Sequence, residues 1–411
     1  MSELVYVRNS CRLCGSDNIA QSMIFEPVPV ISPNMNIQGK EKELAPLDNY
    51  LCQDCGLNQL VHIVDPAAIY KNYLYETKIS LGLDEHFKGV QELITERLNL
   101  QAGSKIVEFG SNDGTLLRCF KHEGMEVQGV DPAEQAGEAA REAGVPTITD
   151  FFTRKLAQQL RDDFGHAHVI ISNNTMANID DLEDIFTGVN DLLTDDGVFI
   201  FETQYALDVI EKNLLDVIYH EHISYFSVKP LAQTLGKFGL ELFHADLIPT
   251  KGGSIRFWIQ KANGPRNVES SVAELTAREE QGGMYDLDTH KAYETRVKTL
   301  KEDIHKVIDD IRADGGKVAS YGMSVGCVAL IHQFELQDKL DFIFDDTPTK
   351  NVIEGPGYKF PIYGPDKVIE MQPALIIALA WRYAEVIAEK HPAYIEAGGK
   401  FFVPLPYGRF L

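Results

Sequence analysis

The segment YHEHISYFS (219–227) contains two histidines, a glutamate and two tyrosines, which are side chains capable of acid/base chemistry. Histidine titrates near neutral pH, so His220 or His222 could take a proton from carbon or oxygen. Glu221 could orient or tune the histidine, and Tyr219 could donate a hydrogen bond to a developing oxyanion. The segment therefore favours a general acid/base site. Two alternatives stay open, namely a metal site formed by H-E-H and a segment whose hydrogen bonds are purely structural.

A loop with two glycines, VEFGSNDGTLL (107–117), ends one expected strand and opens a helix. Gly110 and Gly114 permit a ligand to approach the backbone closely, and the helix N-terminus offers unpaired N–H groups. Asp131 ends the next strand, where an acidic side chain can accept both hydroxyls of a ribose. The pattern E-x-G-x-x-x-G, followed by that acid, predicts S-adenosylmethionine (SAM). A nicotinamide cofactor would require G-x-G-x-x-G, and a turn that binds no ligand is the other alternative.

Polar residues also follow the expected strand HVIISNN (168–174), at the sheet edge where open α/β folds bind ligands. Asn173 could touch the cofactor or the substrate there, and a polar turn without a ligand is the alternative. The candidate cofactor-binding residues are Glu108, Gly110, Asn112, Gly114, Asp131 and Asn173.

Four of the six cysteines form two C-x2-C pairs near the N-terminus, separated by 37 residues: Cys11 with Cys14, and Cys52 with Cys55. A tight turn under each pair lets both thiolates face one ion, and a glycine follows each pair where positive φ is needed. Without a secretory signal, such pairs indicate metal rather than disulfides. We predict a structural zinc ion with four protein ligands and no role in the chemistry. A redox dithiol is the alternative.

A further candidate is KGGSIR (251–256), because paired glycines permit close approach of a ligand and Arg256 could pair with a phosphate. A β-turn between two strands is the alternative.

Strands and helices alternate from KIVEFG (105–110) to GVFIFET (197–203), which predicts a mostly parallel sheet covered on both faces. A second alternation, from GKVASYG (316–322) to KFFVPLP (400–406), predicts a smaller α/β unit. The expected fold class is α/β, with three domains: a small four-cysteine zinc-binding domain (1–75), a SAM-dependent methyltransferase (Rossmann-like) middle domain (76–250) and a second Rossmann-like C-terminal domain (251–411).

The composition limits the classes of molecule that this protein is expected to bind. A chain of 411 residues is long enough for two or three domains. A net charge of −23 without a Lys/Arg-rich run argues against nucleic acid, whereas a few basic side chains in one pocket suffice for an anionic small molecule. No apolar run spans a membrane, and the start MSELVYVRNSC lacks a signal-peptide pattern. We expect a cytoplasmic monomer or weak homo-oligomer that binds a small-molecule substrate.

In chain order, the paired C-x2-C motifs, VEFGSNDGTLL, YHEHISYFS, GGSIR and the ending GGKFFVPLP resemble the bacterial deoxysugar C-methyltransferases. The resemblance covers nearly the whole chain and implies zinc-binding, SAM-binding and Rossmann-like domains, the last holding the substrate nucleotide. It implies methylation at C3 of a nucleotide-linked 4-keto-6-deoxy sugar. It also implies that His222 is the general base, that Glu221 and Tyr219 contact the sugar, and that Tyr73 reaches over the pocket.

The chain departs from that family pattern at four positions, one of them in SYGMS (320–324), where Y-G-A is usual. Asn178 and Lys251 stand where the family commonly has histidine, and Arg382 stands in W-R-Y where W-N-Y is usual. The candidate substrate-binding residues are Asn178, His220, Lys251 and Arg256. The departures leave other activities open: C-, O- or N-methylation of a non-sugar metabolite, or a non-catalytic homologue that binds SAM and zinc.

Overall fold

The computed structural model describes residues 4–30, 43–71, 83–346 and 351–411. The N-terminal region is built mainly from short antiparallel strands, two of which, the first and the fifth, form a separate two-stranded sheet. Its elements are β1 (Val5–Val7), β2 (Ile19–Pro29), β3 (Leu44–Cys52), β4 (Asn58–Leu60), β5 (His62–Val64) and the helix α1 (Pro66–Tyr70). Tyr73 lies outside the described residues.

A seven-stranded sheet forms the middle of the chain. The next strands are β6 (Lys105–Phe109), β7 (Glu126–Val130), β8 (Thr147–Ile148), β9 (Ala167–Asn173), β10 (Leu193–Gln204), β11 (Ser224–Tyr225), β12 (Leu240–Ile248) and β13 (Ser254–Lys261). All but β11 pair in the order β12-β13-β10-β9-β6-β7-β8. Strands β6 to β10 are parallel, and β13 is antiparallel to both of its neighbours. The chain therefore reverses its direction of travel between β6 and β9, and open α/β sheets bind ligands at such a switch point.

Helices cover this sheet on both faces. They are α2 (Leu83–Leu98), α3 (Thr115–His122), α4 (Glu134–Glu142), α5 (Arg154–Asp163), α6 (Leu182–Leu192), α7 (Ala206–Glu211) and α8 (Val228–Thr234). Because no face of the central strands meets water, their side chains form nearly continuous apolar runs. Phe199, Ile200 and Phe201 of β10, for example, are all fully buried.

Strand β11 lies in the middle of the sequence but belongs to the N-terminal sheet, where it pairs antiparallel with β4. The backbone N–H of Leu60 donates to the carbonyl of Ile223 over 2.9 Å. The buried guanidinium of Arg12 donates to both of those residues' carbonyls and pairs with Asp180 at 3.2 Å. The histidine-rich segment is thus fastened to the cysteine-bearing region by backbone and side-chain bonds.

The C-terminal part begins with two helices and continues as a second α/β sheet. Its elements are α9 (Ser270–Gln281), α10 (Leu287–Ala313), β14 (Val318–Tyr321), α11 (Val325–Gln333), β15 (Phe342–Phe344), β16 (Val352–Gly355), β17 (Tyr358–Tyr363), α12 (Lys367–Met371), β18 (Leu375–Ala378), α13 (Ala384–Lys390), α14 (Pro392–Glu396), β19 (Lys400–Val403) and β20 (Arg409–Phe410). The strand order is β16-β17-β15-β14-β18-β19-β20, with a switch point between β14 and β18. The predicted α/β class is confirmed.

The middle sheet extends beyond the expected division at residues 250/251, which falls inside the β12–β13 hairpin. Strand β13 pairs along its length with β10, from Val198 opposite Gln260 to Gln204 opposite Ser254. In the part of the chain that the structure describes, no helix combines the length and apolar character needed to cross a membrane.

Candidate active site

A cavity of about 1700 Å³ opens at the carboxyl edge of the middle sheet. All three regions of the chain line it. The N-terminal region contributes Tyr6 and Tyr70, and the C-terminal sheet contributes its switch point, with Ser324, Val325 and Arg382. Ligand cavities usually have about 300–1,000 Å³, so this one can hold two ligands side by side.

The two glycines of the loop, Gly110 and Gly114, have different structural roles. Both adopt left-handed backbone conformations, with φ of 69° at Gly110 and 72° at Gly114. A Cβ on Gly110 would overlap the Thr175 side chain, so only glycine fits on this side of the cavity. Gly114 does not line the cavity; a Cβ there would lie 3.1 Å from Val145 and 3.3 Å from Ala140. Gly110 therefore provides space at the ligand, and Gly114 lets α3 pack closely.

Two acidic residues of this edge, Glu108 and Asp131, line the cavity. The Asp131 carboxylate accepts the N–H groups of Asn112 at 2.8 Å and Ala133 at 2.9 Å, and burial raises the pKa of Asp131. Burial raises the pKa of Glu108 well above its ordinary value, and its Oε2 has no hydrogen-bond partner. Both amide atoms of Asn173 are also buried without a partner. Such atoms are rare in folded proteins and indicate a polar ligand, which fits the ribose and amino-acid groups of SAM.

His222 is held in one tautomer. Its Nδ1 lies 2.8 Å from the carbonyl oxygen of Val217, which can only accept, so Nδ1 carries the proton. Nε2 is then the lone-pair nitrogen, and the Tyr219 hydroxyl donates to it over 3.2 Å. Burial, with smaller contributions from Lys251 and Arg382, lowers the pKa of His222 to about 4. At neutral pH the ring is therefore an uncharged base at the cavity wall.

The neighbours of His222 come from different elements. Tyr219 and Glu221 line the cavity, and burial raises the pKa of Tyr219 well above its ordinary value. Tyr70, at the end of α1, also lines it and donates to the Glu221 carbonyl over 3.4 Å. Tyr70 is not among the residues that the sequence pattern indicates. Its position near the expected Tyr73 is the only local signal for it.

His220 points away from this cavity. It is buried beside the backbone of Ala45 and His62, and burial lowers its pKa to about 4. The structure therefore does not bring His220 to the expected substrate site. Tyr219–His222 form a turn in which the His222 N–H donates to the Tyr219 carbonyl over 2.9 Å, and Tyr219, Glu221 and His222 line the cavity while His220 does not.

Two other expected substrate residues, Asn178 and Lys251, do line the cavity, whereas Arg256 does not. Arg256 is buried on β13 and pairs with Glu202 of β10 at 2.9 Å. The sequence pattern suggests a phosphate partner for this arginine, but its partner here is a carboxylate inside the sheet. Arg382, which the sequence indicates only as a departure from the family pattern, lines the cavity and pairs with Asp216 at 2.7 Å.

The four cysteines come together away from this cavity. Their sulfur atoms all lie within 4.8 Å of one another, and Cys11–Cys55 and Cys14–Cys52 are each 3.6 Å apart. Tetrahedral zinc with bonds of about 2.3 Å separates its sulfur ligands by about 3.8 Å, so the cluster fits that ion. Among the residues that the structure describes, these are the one group of three or more metal-ligating side chains close enough to share an ion. Among the described residues, the histidine-rich segment does not take part in such a group.

Both cysteine turns have the same geometry. Gly15 donates to the carbonyl of Cys11 and Gly56 to that of Cys52, each over 2.9 Å. Their φ angles are 81° and 86°, as the position after each C-x2-C pair requires.

The sheet order, the glycine loop after the first strand and the acid after the second together define a SAM-dependent methyltransferase. Three family models match successive parts of the chain: "Putative zinc binding domain" (residues 11–70), "Methyltransferase domain" (84–245) and "C-methyltransferase C-terminal domain" (249–406). The chain is 31% identical to "C-methyltransferase NovU" of Streptomyces niveus over 417 residues, which cover 100% of this chain and 99% of that protein. The chain therefore belongs to the C-methyltransferase family. The expected enzyme class, SAM and the zinc site are confirmed.

Solved structures match part of the chain at low identity. Magnesium protoporphyrin IX methyltransferase (ChlM) from Synechocystis PCC 6803, with bound SAH, is 15% identical, with a TM-score of 0.35; the match covers 44% of this chain and 84% of that chain. The PH0226 protein from Pyrococcus horikoshii OT3 is 15% identical, with a TM-score of 0.37, over 46% of this chain and 94% of that chain.

Proposed function

We propose that this enzyme methylates the carbon next to the ketone of a nucleotide-linked ketosugar, C3 of a 4-keto-6-deoxy sugar, with His222 as the general base. The observation that carries the proposal is the fixed tautomer of His222. The bond from Nδ1 to the Val217 carbonyl leaves the Nε2 lone pair on the cavity side, hydrogen-bonded to Tyr219. An uncharged, buried imidazole that faces a ligand cavity is equipped to remove a proton.

The reaction on the acceptor starts at that nitrogen. The hydrogen next to a ketone is acidic, because its removal places the negative charge on the ketone oxygen. When the substrate enters, the Tyr219 hydroxyl yields Nε2 to this hydrogen. Nε2 takes the proton, and the carbon that loses it becomes the nucleophile. Tyr219 and Glu221 then flank the sugar, and Asn178 provides an amide that can both donate and accept.

The methyl donor is held at the neighbouring end of the same cavity. SAM, when bound, supplies an electrophilic methyl group on its sulfonium. Asp131 would accept its ribose hydroxyls, and Glu108 and Asn173 offer it buried polar atoms that lack partners. Gly110 leaves room for it beside Thr175. Positioning two reactants in one closed space is the main contribution that such an enzyme makes to the rate.

The second switch point suits the nucleotide of the acceptor. Ser324 to Gly326 begin α11 and line the cavity together with Arg382. Backbone N–H groups at a helix start and a nearby guanidinium both favour phosphate oxygens. The cavity connects this point with the glycine loop, so one molecule can extend from the C-terminal sheet to His222.

The test uses purified protein with SAM and a nucleoside diphosphate-linked 4-keto-6-deoxyhexose. We expect S-adenosylhomocysteine and a sugar nucleotide heavier by about 14 Da, and, without SAM in D2O, exchange of one sugar hydrogen for deuterium. His222→Gln should abolish both while the affinity for SAM, measured by calorimetry, persists. The control is His332→Gln, a buried histidine whose pKa is also lowered to about 4 but which lies outside the cavity. A wild type that binds SAM but neither exchanges nor methylates this substrate contradicts the proposal.

A further inference from the structure

Lys251 occupies a backbone conformation that non-glycine residues seldom adopt. It lies in the turn Thr250–Gly252 between β12 and β13, with a φ of 53°. Side chains in the left-handed region crowd their own backbone, so they persist there only where the surrounding structure imposes the conformation. Strained residues of this kind often lie at functional sites.

A hydrogen bond to the buried carboxylate of Glu202 holds the residue that precedes Lys251. The Thr250 hydroxyl donates to Glu202 Oε1 over 3.0 Å, and Arg256, directly opposite Glu202 in the sheet, donates to Oε2 over 2.9 Å. Gly253, two residues after Lys251, has no space for a Cβ beside Asp208. These contacts hold the residues on both sides of Lys251. They therefore fix the direction of the Cα–Cβ bond of Lys251.

The Lys251 ammonium has no acidic partner in the part of the chain that the structure describes. The nearby Glu202 is already paired with Arg256 and His86, and Asp216 with Arg382. Lys251 lines the same cavity as Tyr219 and His222, close enough that its charge lowers the pKa of His222. A cation that lines a ligand cavity, and whose neighbouring carboxylates are already paired, is available to an anion, permanent or transient, on the ligand.

We propose that Lys251 is a catalytic residue whose ammonium donates a hydrogen bond to the substrate's ketone oxygen and balances the negative charge that this oxygen gains. The proposal rests on the proposed function. The C–H bond beside the ketone breaks, and its proton goes to Nε2 of His222. The electron pair of that bond forms a C=C bond to the carbonyl carbon, and the π pair of the C=O moves to the oxygen. Lys251 keeps its proton throughout.

Other side chains of the cavity wall are less suited to this task. The Tyr219 hydroxyl donates to His222 and must rearrange when the substrate displaces it, and the Tyr70 hydroxyl donates to the Glu221 carbonyl. The Arg382 guanidinium is paired with Asp216. A preorganised cation that needs no rearrangement during the reaction stabilises an oxyanion most effectively. The Lys251 residue is exposed and lines the cavity, and the protein around it lowers its pKa to about 8, which leaves it protonated at neutral pH.

The test compares Lys251→Met and Lys251→Arg with the wild type, using a nucleoside diphosphate-linked 4-keto-6-deoxyhexose in D2O without SAM. Loss of one oxyanion donor typically slows a reaction by about 10²–10³ fold, so we expect Lys251→Met to reduce both deuterium exchange and the kcat of methyl transfer by that factor. KM should change much less, and Lys251→Arg should recover part of the rate. The control is Lys212→Met, which removes a lysine that donates to the Gly252 carbonyl over 3.3 Å but does not line the cavity.

Melting temperature and SAM affinity establish that each variant is folded. Exchange at the wild-type rate in Lys251→Met, or an effect confined to KM, overturns the role of Lys251 and leaves the proposed function intact. If Lys251→Met does not fold, wild-type kcat in a folded Lys251→Gln overturns it equally. A wild type that fails to exchange the substrate refutes the proposed function itself, and this outcome is distinct because it does not depend on any variant.

Discussion

The protonation of His222 leads to a quantitative prediction. The ring is only 9% exposed, and burial lowers its pKa to about 4, from the 6.5 of a free histidine. The difference corresponds to about 3 kcal/mol against the charged form. At pH 5.5, about 97% of the protein then has a neutral His222, whereas a histidine with the ordinary value is neutral in about 9%. We therefore expect the base to remain active in mildly acidic solution.

The assay is the pH dependence of deuterium exchange into the ketosugar without SAM, between pH 4 and 8. The rate should be constant from pH 7 to about 5.5 and fall to half near pH 4, and circular dichroism checks that the chain stays folded. Among the described residues, the charged or titratable groups that act on the ring are Tyr219, Lys251 and Arg382. The two cations disfavour a positive imidazolium, so their removal raises its pKa. Lys251→Met should therefore move the acidic limb to higher pH.

Two results would refute this reasoning. An acidic limb centred at pH 6.5 or above in the folded wild type would mean that burial does not hold His222 neutral. A limb that stays at the same pH in Lys251→Met would mean that the two side chains do not face one space.

The remaining predictions concern SAM and zinc. Asp131→Asn should weaken SAM binding by about 10–100 fold in calorimetry, because a charge-assisted hydrogen bond contributes about 1.5–3 kcal/mol, and unchanged affinity would exclude a ribose contact. Gly15→Ala should lower the unfolding free energy by about 1–2 kcal/mol through positive φ alone. Gly56→Ala should cost about 1–3 kcal/mol more, since its Cβ would lie 2.5 Å from the Tyr285 ring; equal losses would argue against this contact. Cys52→Ser should release the zinc measured by mass spectrometry, lower the melting temperature and slow exchange, and a stable, active Cys52→Ser would show that zinc does not support the catalytic segment.

Local sequence motifs predict several features of this fold, because each of those features depends on only a few neighbouring residues. The cysteine turns, the loop at Gly110 and the acid at Asp131 each depend on a few consecutive residues, and parallel strands bring their carboxyl ends to one edge whatever the rest of the chain does. The four cysteines come together as their spacing predicts, and Gly110 and Asp131 line one cavity.

Contacts between distant segments are not visible in such patterns. Arg256 lies directly opposite Glu202 only because β13 inserts antiparallel beside β10, and the two residues are 54 positions apart. His220 and His222 both flank Glu221, but His220 is buried beside Ala45 and His62 of the N-terminal region, whereas His222 lines the cavity. Tyr70 reaches the site from α1 for the same kind of reason. Tertiary packing decided each of these cases.

Transfer of a methyl group to carbon is the central claim, and the product's carbon spectrum tests it most directly. Purified protein would be incubated with SAM carrying a ¹³C methyl group and a nucleoside diphosphate-linked 4-keto-6-deoxyhexose, and the product examined by ¹³C–¹H correlation NMR. We predict one labelled methyl group bonded to the ring carbon beside the ketone, with the signal absent in His222→Gln. A labelled methyl on oxygen or nitrogen, or a label that stays on SAM, would contradict the account.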